Sequence, residues 1–210
     1  MQTEGHTQPG KVVVTPGREW FEDWREPGDF LRKLETVSPT IEDVDHRANV
    51  NKWFREAKIL GLFSVGVGAG SLRIIERDPP DGEVKLAGQI LPIEIVEAFE
   101  PGRRPDREFK TGNRKRDVHF RDVPGALQKA VSKKEAHTNY PQGTILVVYL
   151  NMGEDYRSPP SDVLEAIKSI CSLPSSKFNA ICILWRCWLF GPAQFIKEGR
   201  VCIDWRLLED

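Results

Sequence analysis

The most restrictive stretch of this chain is residues 144–150, TILVVYL. It is apolar throughout, rich in β-branched residues, and does not alternate with polar positions. A strand of that kind hides both faces, which requires a sheet with helices packed on either side. The stretch therefore predicts an α/β fold, and 210 residues suffice for one sizeable core. Its surroundings agree. Pro124 opens a helix that runs to about residue 136 with Leu127, Ala130 and Val131 inward. Ser161 caps a helix running to Ser172 that buries Val163, Leu164, Ile167 and Ile170. Residues 178–190, FNAICILWRCWLF, form one further buried strand or two, and residues 201–205 a last one.

Residues 1–15 are polar, contain Gly and Pro, and read as a flexible N-terminus; residues 16–210 read as a single domain. Trp20, Phe21, Trp24, Phe30, Leu31 and Leu34 form an apolar layer packing on that domain. Ser38 or Thr40 caps a helix over residues 41–60, with Val44, Ala48, Trp53, Ala57 and Leu60 as its stripe and Glu56 at the stripe's edge. Residues 61–76 read as a strand with glycine-rich bends. Gly66, Gly68 and Gly70 do not make a nucleotide loop, because strand-like sequence follows where a helix would have to open. Close backbone packing or a bulge is their use.

Residues 80–97, PDGEVKLAGQILPIEIVE, read as a hairpin. A type II′ turn at Gly88-Gln89 sets Lys85 opposite Pro92, Glu83 opposite Glu94 and Asp81 opposite Val96. One face then carries Val84, Leu86, Leu91, Ile93 and Ile95, and the other Asp81, Glu83, Lys85 and Glu94. Pro92 requires a bulge or an edge position. Like charges facing each other are destabilising. Two readings account for the crowded carboxylates: a solvated outer face, or a divalent cation with oxygen ligands.

Residues 100–121 carry Arg103, Arg104, Arg107, Lys110, Arg114, Lys115, Arg116 and Arg121 among turn residues. They suit phosphate-backbone contacts, or a solvated loop tempered by Asp106, Glu108 and Asp117. A net charge of −1 makes no global demand for nucleic acid. Cys171, Cys182, Cys187 and Cys202 lie in apolar segments without metal-ligand spacing and read as buried free thiols in a reducing compartment, the alternative being a disulfide between two of them that no spacing supports. The four histidines share no ligand spacing with them. No signal peptide is evident, and the longest apolar stretch is broken by Arg186. The chain reads as a soluble cytoplasmic protein with no membrane partner.

The order helix, three strands, helix, strand, with Pro80-Asp81 on one strand and Glu94-Ile95-Val96 on the next, resembles the PD-(D/E)XK nuclease superfamily. The run LPIEIVEA is similar to the EVTE-type strand of bacterial members. The resemblance covers residues 41 to about 151 and implies a single restriction-endonuclease-like α/β domain, with an αβββαβ core, a mixed central sheet flanked by helices, and a C-terminal αβ(β) extension. It implies a divalent-metal-dependent nuclease hydrolysing phosphodiester bonds in DNA rather than RNA, with Mg2+ or Mn2+ held by Asp81 and Glu94, and Glu83 and Glu56 as further metal ligands. The superfamily's catalytic Lys falls at Val96, so Lys85, Gln128, Lys129 and Lys133 are the candidates for that role. Arg103, Arg104, Arg107, Arg114, Lys115 and Arg116 would contact nucleic acid, and the assembly is a monomer or a homodimer. The alternative function is an inactive module of this fold that binds nucleic acid or a protein partner.

Overall fold

The computed structural model describes residues 17–42, 52–76, 79–101, 120–137, 139–152, 160–196 and 198–203. Three helices, α1 (Arg18–Glu22), α2 (Pro27–Glu42) and α3 (Lys52–Val67), precede strands β1 (Ser71–Ile74), β2 (Gly82–Leu86) and β3 (Gln89–Ala98). Helix α4 (Val123–Glu135), strand β4 (Ile145–Leu150), helix α5 (Ser161–Cys171) and strands β5 (Ala180–Trp185), β6 (Trp188–Phe190) and β7 (Arg200–Cys202) follow. The seven strands form one sheet in sequence order. β3, β4 and β5 run parallel, and an antiparallel pair of strands extends each side of that centre.

The expectation drawn from residues 144–150 is met. β4 pairs in parallel with both neighbours and is buried along its length. Ile145 and Val147 face a core with α2 and α3; Leu146, Val148 and Leu150 face a second core with α4 and α5. Alternation along a doubly covered strand thus divides the molecule into two apolar layers. On the α4 side the buried positions are Val123, Ala126, Leu127, Ala130 and Val131, the one-face spacing of an amphipathic helix. Trp20, Phe21, Phe30 and Trp53 pack ring against ring, as an apolar layer should.

Several sequence expectations are corrected. Of the helix expected over residues 41–60, the described residues belong to α2 up to Glu42 and to α3 from Lys52, and α2 passes through the proposed caps Ser38 and Thr40; Val44 and Ala48 lie outside the described residues. Residues 61–67 continue α3 instead of opening a strand. Gly68, at φ 69°, ends that helix, with Ala69 N–H donating to the Ser64 carbonyl at 2.9 Å. Gly66 is a close approach, as expected: a Cβ there would come 2.6 Å from Leu189 Cδ2. Pro160, not Ser161, occupies the N-cap of α5. The hairpin turns at Ala87-Gly88, both at positive φ as a type I′ turn requires, so Lys85 faces Ile90 and Glu83 faces Pro92. The register moves by two and every side chain keeps its expected face. Pro92 is a local edge, because pairing with β4 begins only at Ile93. Among the described residues no helix is long and apolar enough to cross a membrane.

Gly82 opens β2 directly after Asp81, and a Cβ there would collide with Leu60 Cδ2 and lie 2.9 Å from the Arg73 carbonyl oxygen. Because one obstacle is backbone, Gly82→Ala is expected to destabilise by about 1–3 kcal/mol. Gly125→Ala, in α4 with nothing within 4 Å, should instead stabilise by ~0.4–1 kcal/mol. Urea unfolding of both variants checks this; equal effects would refute the packing account.

Candidate functional site

The hydrogen-bonded register of β2 with β3 ends at the pair Gly82 and Ile93, and β4 takes up pairing on the other side of β3 from Ile93 onward. One step beyond the last pair, Asp81 stands across from Glu94. Where β2 stops, the Ile95 N–H would lose its strand partner; it donates instead to Asp81 Oδ2 at 2.8 Å. Asp81 and Glu94 are the charged side chains that are buried among the described residues, 9% and 1% exposed.

Cations reach this pair from both faces of the sheet. Lys52, in the first turn of α3, places Nζ 3.9 Å from Asp81 Oδ1 and 3.1 Å from Glu56 Oε1. Lys134, in the last turn of α4, donates from Nζ to Glu94 Oε1. Its position follows from helical period: it lies seven residues after Leu127 and four after Ala130, on the face that meets the sheet. Glu56 sits one turn after Lys52 and is pushed up to about 7, first by burial and then by the Asp81 charge, with Lys52 and Lys134 pulling the other way. Three carboxylates and two ammonium groups thus share one electrostatic site.

Of the residues proposed from sequence, Asp81, Glu94 and Glu56 come together. Glu83 does not join them: it accepts from Arg73 Nε at 2.9 Å and Nη2 at 2.8 Å. Lys85 lies over the Trp24 ring, 4.1 Å from its centroid. Gln128, Lys129 and Lys133 are exposed on α4, with Gln128 donating to Ser132 Oγ at 3.3 Å. Arg103, Arg104, Arg107, Arg114, Lys115 and Arg116 lie outside the described residues. Glu97 accepts from Arg55 Nε at 3.0 Å and Asn151 Nδ2 at 3.1 Å. Sequence reasoning missed Lys52 and Lys134. The signal for Lys134 was present, a lysine in phase with the inward stripe Leu127, Ala130 and Val131.

Compared with protein-family models, with curated proteins and with solved structures, the chain gives no match.

The carboxylates can act as hard oxygen donors to a divalent cation. Among the described residues no group of three or more His, Cys, Asp or Glu side chains is placed to hold a metal ion. Burial first and the Asp81 charge second hold the Glu56 proton, with Lys52 beside both carboxylates. Because the folded value of Glu56 lies above its ordinary 4.5, the native chain keeps a proton that the unfolded chain has released. Its contribution to stability is therefore full below about 4.5 and is lost as pH rises through about 7. Between those limits the parent should lose on the order of 2–3 kcal/mol relative to Glu56→Gln. Denaturant unfolding at a series of pH values measures the difference, and parallel curves for the two proteins would contradict it.

Proposed function

We propose that this chain is a divalent-metal-dependent, nuclease-like protein of the restriction-endonuclease-like fold, hydrolysing phosphodiester bonds in DNA. The observation that carries the reading is the meeting of Asp81, Glu94 and Lys134 where β2 ends: two buried carboxylates, the first held by the Ile95 N–H next to the second, and an ammonium on the second of them. The element order from α3 to β4, helix, three strands, helix, strand, supports the same reading. So does the character of Val96, the superfamily's lysine position, which is buried against α4 while α4 brings Lys134 to Glu94.

Asp81 and Glu94 would hold Mg2+ or Mn2+, water and substrate oxygens completing the coordination. A cation bound there neutralises phosphate charge and makes bound water more acidic. Lys134 keeps a fixed positive charge beside Glu94, where it can steady negative charge growing on a phosphate oxygen. The Ile95 N–H fixes Asp81 Oδ2, so that carboxylate is held before any substrate arrives.

A second reading, an inactive module of the same fold, is favoured by the ammonium contacts themselves. Lys52 and Lys134 already supply countercharge to Asp81 and Glu94, so the site can persist without a metal.

Cleavage of duplex and single-stranded DNA with magnesium or manganese separates the two. The nuclease reading expects metal-dependent cleavage that falls ~10²–10³-fold in Asp81→Asn, Glu94→Gln and Lys134→Met. Manganese should also raise the melting temperature of the parent and not of Asp81→Asn, the stabilisation being about 1.4 kcal/mol at tenfold excess over Kd. DNA binding without turnover or metal-induced stabilisation would select the inactive module. In either case, replacing Arg114, Lys115 and Arg116 with Ala should flatten the log–log salt dependence of DNA binding by about one unit for each phosphate no longer neutralised. An unchanged slope would remove that segment from the interface.

A further inference from the structure

The four cysteines, all expected to be buried thiols, divide into two kinds. Cys171 and Cys182 are buried. Burial pushes the Cys171 thiol up to about 12 and the Cys182 thiol further still, so neither offers a thiolate near neutral pH. Cys187 is half-buried and Cys202 exposed, and their sulfurs stand 3.7 Å apart.

The sheet itself sets that distance. Cys187 is the second residue of the two-residue turn between β5 and β6, after Arg186 at φ 56°. Cys202 ends β7 opposite Trp188. Ile203 N–H donates to the Cys187 carbonyl at 2.6 Å, fixing the turn against the strand end. A disulfide bond is about 2.05 Å long, so the sulfurs need to close by roughly 1.7 Å. Both belong to residues at the end of an element, where side-chain rotation can supply that movement.

We propose that Cys187 and Cys202 are a modification site, a dithiol that exchanges with a low-molecular-weight disulfide such as oxidised glutathione and closes a reversible bridge from the β5–β6 turn to β7. The exposed Cys202 thiolate attacks one glutathione sulfur, forming a mixed disulfide and releasing one glutathione thiolate. The Cys187 thiolate then attacks Cys202 Sγ, forming the protein disulfide and releasing the second glutathione. Two protein thiols are oxidised, one glutathione disulfide is reduced, and the two protons leave with the released thiols. The bridge fastens a three-residue edge strand. That edge lies against the end of α3, since a Cβ at Gly66 would meet Leu189 and Ile203.

The native protein is equilibrated with glutathione buffers graded from reducing to oxidising, quenched in acid, and read by intact mass and peptide mapping. The expected product is a monomer lighter by two hydrogens, with Cys187 linked to Cys202 and Cys171 and Cys182 free. It should be reversed by dithiothreitol and should melt at a higher temperature than the reduced protein. Cys187→Ser should accumulate the glutathione adduct on Cys202, the intermediate that the parent resolves. A lasting glutathione adduct in the parent, a disulfide-linked dimer, or four free thiols at every buffer ratio would overturn the proposal. A cross-link with no rise in melting temperature would overturn the clamp on β7.

Discussion

A carboxylate taken out of water must find compensation, and the region around β3 is arranged around that demand. Asp81 receives it from the Ile95 N–H and from Lys52, and Glu94 from Lys134. Glu56 meets the same demand by holding its proton up to about 7. Burial and the Asp81 charge raise Glu56, while Lys52 and Lys134 pull it down. The cluster is therefore poised: one added positive charge would release that proton, and loss of either lysine would bind it more tightly.

Such a cluster can form at few places in a layered α/β molecule. A continuous sheet separates the helices on its two faces, and here the two cores are indeed distinct. Lys52 and Glu56 come from α3 on one side, Lys134 from α4 on the other. They act on the same carboxylates because β2 stops at Gly82 while β3 continues and takes β4 as a partner. The strand end opens the sheet, and the Ile95 N–H, left without a strand partner there, holds Asp81 at the opening. Gly82 then lets β2 approach α3 closely. Backbone economy at one strand end thus places the charged groups.

What could be read beforehand follows the range of the interactions involved. Alternation and helical period are local, so the burial of β4, the inward face of α4 and the two faces of the hairpin were legible in residues 144–150, in Leu127, Ala130 and Val131, and in Val84, Ile93 and Ile95. The hairpin register was not. Ala87 adopts φ 50°, a conformation that residues with a Cβ seldom take, so no local preference pointed to it. Pro39 lies inside α2, although proline ordinarily interrupts a helix, and Ser38 and Thr40 beside it, residue types that favour caps, belong to that helix as well. The glycines of α3 misled for a related reason. Gly61 sits where a Cβ would come 2.5 Å from Leu31 Cδ2; it serves the contact between two helices, and nothing nearby in sequence announces that.

The missing lysine of the proposed site has the same kind of explanation. Val96 shares its face with Glu94 but lies beneath α4, in the core with Ala126, Leu127 and Ala130. A lysine there would have to bury its ammonium or displace that packing. Lys134 avoids the conflict. Its aliphatic stem extends the inward stripe of α4, and its ammonium reaches Glu94 from above the sheet. On the proposed reading, the positive charge has moved from strand to helix while the carboxylate it serves has stayed. Its loss should therefore be visible in two independent ways. Lys134→Ala takes the contacting ammonium from a carboxylate that is 1% exposed and should cost about 3–5 kcal/mol of stability at neutral pH. Lys134→Met keeps the apolar stem and removes only the charge, so the gap between the two variants measures the stem's packing. Unchanged stability in Lys134→Met would mean that Glu94 does not depend on Lys134 for its countercharge.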